Sequence, residues 1–174
     1  MAERTIRDLR TTDMSIHEFI ASSFRSEDYV IISGHDEAYV ASGLFVIDGF
    51  PVDTGHMKVP TVSIEHDISR DEPFQLGPGR TDSRIFLIDV FARSDGERDD
   101  LAEYVRYFLN SRIPIFDWND VLANGVYTPI AYGHPDGVVV MSDRLDVKEP
   151  KLRHSMKVRF EINIDISSGY TLIT

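Results

Sequence analysis

The stretch from Arg84 to Leu109, RIFLIDVFARSDGERDDLAEYVRYFL, constrains the fold most, because it spells a strand, a turn and an amphipathic helix in succession. Arg84 to Arg93 is apolar, with Ile85, Ile88 and Val90 β-branched and Asp89 its only interior charge. A half-exposed strand would alternate polar and apolar residues; a run apolar on both faces predicts a central strand covered on both sides. Ser94 followed by Glu97 fits a capping box, in which each side chain satisfies a backbone N–H otherwise orphaned at a helix start. Asp95, Glu97, Asp99 and Asp100 crowd the first turn, where the helix dipole favours negative charge. Leu101, Tyr104, Val105, Phe108 and Leu109 then recur at i, i+3, i+4, i+7 and i+8, which predicts one buried stripe. Arg106 and Arg112 sit near the C-terminal end, and Pro114 is the expected stop.

The flanking chain is read against this unit. Met1 to Thr11 is polar apart from Ile6 and Leu9 and is expected to be an arm or a short helix. Ser15 and Glu18 offer a second capping box, and Ile16, Phe19, Ile20 and Phe24 predict a helix from about Met14 to Arg25. Tyr29–Ser33 and Ala38–Asp48 read as strands joined by the polar turn Gly34-His35-Asp36-Glu37. Gly49–Lys58 reads as a loop, and Val59–Ile68 as an alternating strand with Val62, Ile64 and His66 on one face. Ser69–Asp82 is expected to be the longest irregular stretch before the central unit, and Ile113–Tyr132 shows no clear period. Val138–Met141 reads as a short strand opened by a Pro135-Asp136-Gly137 turn. Met156, Val158, Phe160, Ile162, Ile164 and Ile166 alternate with polar residues, which predicts a long, half-exposed antiparallel strand, at a sheet edge or inside it.

The expected fold class is α+β: an antiparallel or mixed β-sheet with two main helices packed on it, and protruding loops. At 174 residues, with no repeat and no linker, residues 1–174 are expected to form one domain, with 125–174 supplying additional strands. The charge balance, 18 Lys+Arg against 29 Asp+Glu or −11, argues against general binding to a phosphate backbone. With no cysteine, disulfides, thiolate metal sites and Cys nucleophiles are excluded. The N-terminal sequence MAERTIRDLRTTDMS lacks the apolar core of a signal peptide, and no run approaches the ~20 apolar residues of a membrane span. A soluble, cytoplasmically made chain is expected.

The chemistry-bearing residues point to no enzyme. His35-Asp36-Glu37 and Glu65-His66-Asp67 are the densest clusters, yet neither has metal-ligand spacing, and neighbours in a strand face opposite ways. A small hydrolase or metal-dependent enzyme using either cluster is the alternative from a different class. Gly77-Pro78-Gly79-Arg80 lacks the Lys-Ser/Thr of a phosphate loop, and no serine sits in a nucleophile motif. No catalytic, cofactor-binding or metal residue is assigned, and no cofactor is expected. The candidate contact residues are instead large apolar ones in loop-like segments, Phe50, Met57, Phe74, Leu76 and Trp118. Each is either a contact tip or satellite core tucked under its loop.

Four segments between Val59 and Asn119 together carry a resemblance: VPTVSIEHDI, PFQLGPGR, SRIFLIDVFARSDGERDDLAEYVRYFL and IPIFDWN. In order and spacing they resemble the tail terminator (tail completion) proteins of tailed bacteriophages, over roughly the middle third of the chain. That resemblance implies a virion protein, assembled in the host cytoplasm, whose subunits form a ring, usually a hexamer. Such a ring sits on the end of the tail tube, stops its polymerisation and offers the surface for head–tail joining. The implied partners are further copies of the chain, the tail tube protein and a head completion or neck protein. DNA would pass through the lumen without specific binding, and no membrane is involved. Pro73–Arg80 matches the family's Leu-Gly loop, which adds Arg80 to the contact candidates. The strands after Gly125 depart from the pattern, so another neck or head–tail connector ring is the nearest alternative.

Overall fold

The computed structural model describes residues 8–32, 43–49, 57–72, 81–141 and 154–165. Their elements run α1 (Asp8–Ser26), β1 (Val30–Ile32), β2 (Gly43–Asp48), β3 (Thr61–Glu72), β4 (Thr81–Phe91), α2 (Asp95–Phe108), β5 (Ile113–Phe116), α3 (Trp118–Asn124), β6 (Pro129–Met141) and β7 (Ser155–Asp165). All seven strands form one sheet in the order β1-β2-β3-β4-β7-β6-β5. The β1/β2 and β2/β3 pairs are parallel and the other four antiparallel, so the fold is α+β with a mixed sheet.

The Arg84–Leu109 unit lies at the centre. β4 pairs along its whole length with β3 on one side and β7 on the other. Phe86, Ile88 and Val90 on one face, and Ile85, Asp89 and Phe91 on the other, are all buried, as the two-sided apolar run predicts. Asp89 is held in this interior with the Lys157 ammonium 3.7 Å away on the neighbouring strand. Ser94 caps α2 by accepting from the Glu97 N–H. The Glu97 carboxylate returns to the N–H of Arg93, one residue earlier than a capping box would place it, and also grips the Arg93 guanidinium.

α1 and α2 pack side by side on one face of the sheet. Ile16, Ile20 and Phe24 of α1 and Leu101, Val105 and Phe108 of α2 meet Val62, Ile64, Phe86, Ile88, Val158, Phe160 and Ile162 from the strands. Each such side chain contributes about 1.5–3 kcal/mol by leaving water, so this layer dominates the fold's stability. Met156–Ile164 alternates as expected, and β7 sits inside the sheet between β4 and β6.

Several expectations change. α1 begins at Asp8, so Asp8–Thr11 belongs to this helix, and Ser15 lies inside it and caps nothing. β1 and β2 run parallel, whereas strands joined by the expected tight turn would be antiparallel; Gly34-His35-Asp36-Glu37 itself lies outside the described residues. The irregular stretch after Ile68 is shorter than expected: β3 continues to Glu72 and β4 starts at Thr81, zipped as far as Glu72↔Thr81. α2 ends at Phe108, well before Pro114, which lies in β5. The aperiodic Ile113–Tyr132 segment holds a third helix, α3, capped by Asp117 and closed by Gly125 at φ +69°. Pro135-Asp136-Gly137 is no turn but a bulge inside β6, where the register slips between Asp136 and Val139 and Gly137 takes φ +58°.

Candidate functional site

β6 lies between β7 and the short terminal strand β5, which covers only part of its length. It pairs with β7 from Gly133 to Met141, but β5 covers its other side only from Pro129 to Gly133. Among the described residues, the outer edge of β6 from His134 to Met141 therefore has no strand beside it. Val139 and Met141 lie opposite Arg159 and Lys157, on the face away from the helices. Val139 is 48% exposed, and Val140 and Met141 are nearly as open. Leu122 of α3, Val126 and Tyr127 in the connection that follows it, and Tyr132 of β6 are exposed too. Pro135 and the bulge at Gly137 interrupt the first part of this edge, whereas Val138–Met141 carries no Lys or Pro, residues that usually blunt a free edge against pairing. A cleft of about 380 Å³ opens beside it, between the α2–β5 turn (Leu109–Arg112) and His134–Val138.

The structure buries the two contact candidates it describes. Met57 is 1% exposed and Trp118 7%, so for these two the satellite-core alternative is the one observed. Trp118 opens α3 rather than a loop, and its indole N–H donates to Ser15 Oγ at 2.9 Å. The Phe116 N–H donates to the same oxygen at 3.0 Å, and the Ser15 hydroxyl donates to Thr11 O at 2.7 Å. One buried hydroxyl thus uses its donor and both lone pairs to tie α1 to β5 and α3. Phe50, Phe74, Leu76 and Arg80 lie outside the described residues.

Of the histidine clusters, His35-Asp36-Glu37 is outside the described residues, while His66 lines a cavity of about 430 Å³. Arg10, Asp13 and Met14 of α1, Asp48 and Gly49 at the end of β2, Ile64 and Glu65 of β3 and Phe86 of β4 complete it. Asp67 is exposed and does not line the cavity; the acids that share it with His66 are Asp13, Asp48 and Glu65. Burial pushes the Asp13 carboxyl above its ordinary range, and Asp48 adds to this, while His66 and Arg84 pull it down. Asp13 Oδ1 and His66 Nε2 are both buried with no hydrogen-bond partner among the described residues. The alternation of β3 foretells which way His66 faces; nothing local foretells Asp13, which the packing of α1 on the sheet brings in. Among the other histidines, His17 Nε2 lies 3.3 Å from Val46 O, and His154 Nδ1 lies 2.8 Å from Asp95 Oδ1. His134 is exposed on β6, and His56 is outside the described residues. Among the described residues no three His, Asp or Glu side chains come together to hold a metal ion, and no helix is long and apolar enough to cross a membrane.

No model of a known protein family matches this chain, and none of the curated proteins matches it.

Proposed function

We propose that this chain is a structural subunit that assembles edge to edge into a ring, acting as a tail terminator at the end of a phage tail tube. The observation that carries the reading is the free edge of β6 with its exposed Val139, Val140 and Met141. Unpaired backbone donors and acceptors beside exposed apolar side chains favour strand addition by another chain, and stoichiometric assembly needs no catalytic constellation. The long β3–β4 hairpin, zipped to Glu72↔Thr81, leads directly into residues 73–80, the segment on which the resemblance puts its contact loop. The −11 balance suits a ring through which DNA slides without sticking. A neck or connector ring would use the same edge, and the tail tube as binding partner separates the two.

The hydrolase reading keeps one point in its favour, the unpartnered Asp13 and His66 atoms facing one cavity. Among the described residues no Ser, Thr or Cys lines that cavity, which leaves an activated water as the nucleophile for this reading. The test is light scattering on a size-exclusion column followed by negative-stain imaging, with and without purified tail tubes. Rings of about six subunits, free or on tube ends, are expected from a symmetric closed assembly. A monomer indifferent to tubes, with wild-type behaviour in Val139→Lys, would overturn the proposal.

A further inference from the structure

The outer side of α2 carries a second side-chain stripe, in which Tyr104, expected in the buried stripe, is only half-buried and packs against the margin of the core. Asp100, Glu103, Tyr104 and Tyr107 recur at i, i+3, i+4 and i+7, beside the buried Leu101–Val105–Phe108 stripe. Together with Glu27 and Tyr29, which follow α1, they line an open groove of about 630 Å³.

Its aromatic wall is built rather than incidental. Tyr29 and Tyr104 meet edge to face with centroids 6.2 Å apart. Both rest on the fully buried Phe24, at 5.5 and 6.2 Å, so neither ring is free to turn away. Tyr107 stands at the rim, 67% exposed, the most open aromatic among the described residues. Two of the three carboxylates are uncompensated: among the described residues neither Glu27 nor Asp100 has a cation within ion-pair distance, while Glu103 pairs with the exposed Arg106 at 3.6 Å. Burial holds the Tyr29 hydroxyl above its usual range; Tyr104, Glu97 and Asp100 add to this, and the Arg93 cation pulls it down. Asp95 and Glu97 already serve the helix start, so Asp100 and Glu103 are not needed there.

We propose that this groove seats an arginine side chain presented by a basic segment of a partner protein. A guanidinium stacks on tyrosine faces while its N–H fork meets carboxylates, which is the chemistry this wall offers. The groove's open shape fits a side chain laid in from another surface better than an enclosed small molecule. The proposal does not depend on ring assembly through β6.

The test is a titration of the full chain with the blocked tripeptide Gly-Arg-Gly, followed by NMR on the tyrosine ring protons, with Gly-Glu-Gly and free arginine as comparisons. Saturable shifts confined to Tyr29, Tyr104 and Tyr107 are expected with Gly-Arg-Gly alone or more strongly than with free arginine. Binding should weaken at least tenfold in Glu27→Gln/Asp100→Asn, and several-fold in Tyr107→Ala, which changes no charge. It should be unchanged in Glu65→Gln/Asp67→Asn, which removes the same charge elsewhere. Shifts spread over the acidic surface, equal loss in both double variants, tighter binding of free arginine, or no shift would each overturn the proposal.

Discussion

β4 and β6 are both long strands with apolar runs, Ile85–Ile88 in one and Val138–Met141 in the other, yet the sheet treats them oppositely. β4 is paired on both sides and buried on both faces, and the carboxylate it holds there, Asp89, has Lys157 beside it. β6 pairs with β7 from Gly133 to Met141, is bulged at Gly137, and leaves Val139, Val140 and Met141 exposed. Composition does not separate them; position in the sheet does. An apolar strand inside a sheet is core, whereas one at its open edge is a surface for another chain.

That contrast can be tested by substitution. The largest effect is expected at the centre: Ile88→Ala should cost about 2–5 kcal/mol in urea unfolding, because the neighbours of a fully buried side chain cannot collapse onto the gap. A loss under 1 kcal/mol would mean that β4 is not the core strand described. Next comes Ser15→Ala, which leaves the Trp118 and Phe116 N–H groups without their acceptor and should cost about 1–3 kcal/mol. The same change should shift Trp118 fluorescence, since it is the chain's single tryptophan. Where β6 does lie on the core, Gly133→Ala should also cost about 1–3 kcal/mol by overpacking. Its Cβ would sit 2.6 Å from Ile162 Cγ1, and closer still to Cδ1. The smallest effect on the folded chain is expected at the open edge: Val139→Lys should stay within about 0.5 kcal/mol of wild type, as exposed substitutions do. It should nevertheless abolish rings if β6 is the assembly surface, and rings that survive the change would place assembly elsewhere.

The cavity gives a pH counterpart. Burial holds the Asp13 carboxyl above the ordinary value of 3.8, so the folded chain keeps that proton where the unfolded chain has lost it. The contribution to stability is therefore whole below that value and falls as pH rises through the raised one. Asp13→Asn should flatten this part of the stability curve, measured by urea unfolding from about pH 4 to about pH 7. Parallel curves for the two proteins would show that Asp13 keeps an ordinary affinity for its proton.

Sequence pattern alone carried the parts of the fold that local physics fixes. The two-sided apolar run of β4, the Ser94 cap, the buried stripe of α2 and the alternation of β7 were all legible, because burial on one or both faces imposes a period on the chain. Ser15 shows where that reasoning fails. Its Ser-x-x-Glu spacing reads as a helix start, but the helix begins earlier and the hydroxyl is used by Phe116 and Trp118, far along the chain. α3 was hidden for a related reason: at seven residues it is too short to display a period, and its caps, Asp117 and Gly125, are common loop residues. Only tertiary packing put Asp13 beside His66, made β1 and β2 parallel, and left β6 with a free edge. None of these could be read from local pattern, because sequence periodicity records which face of an element is buried, while strand order and helix docking decide which distant residues meet there.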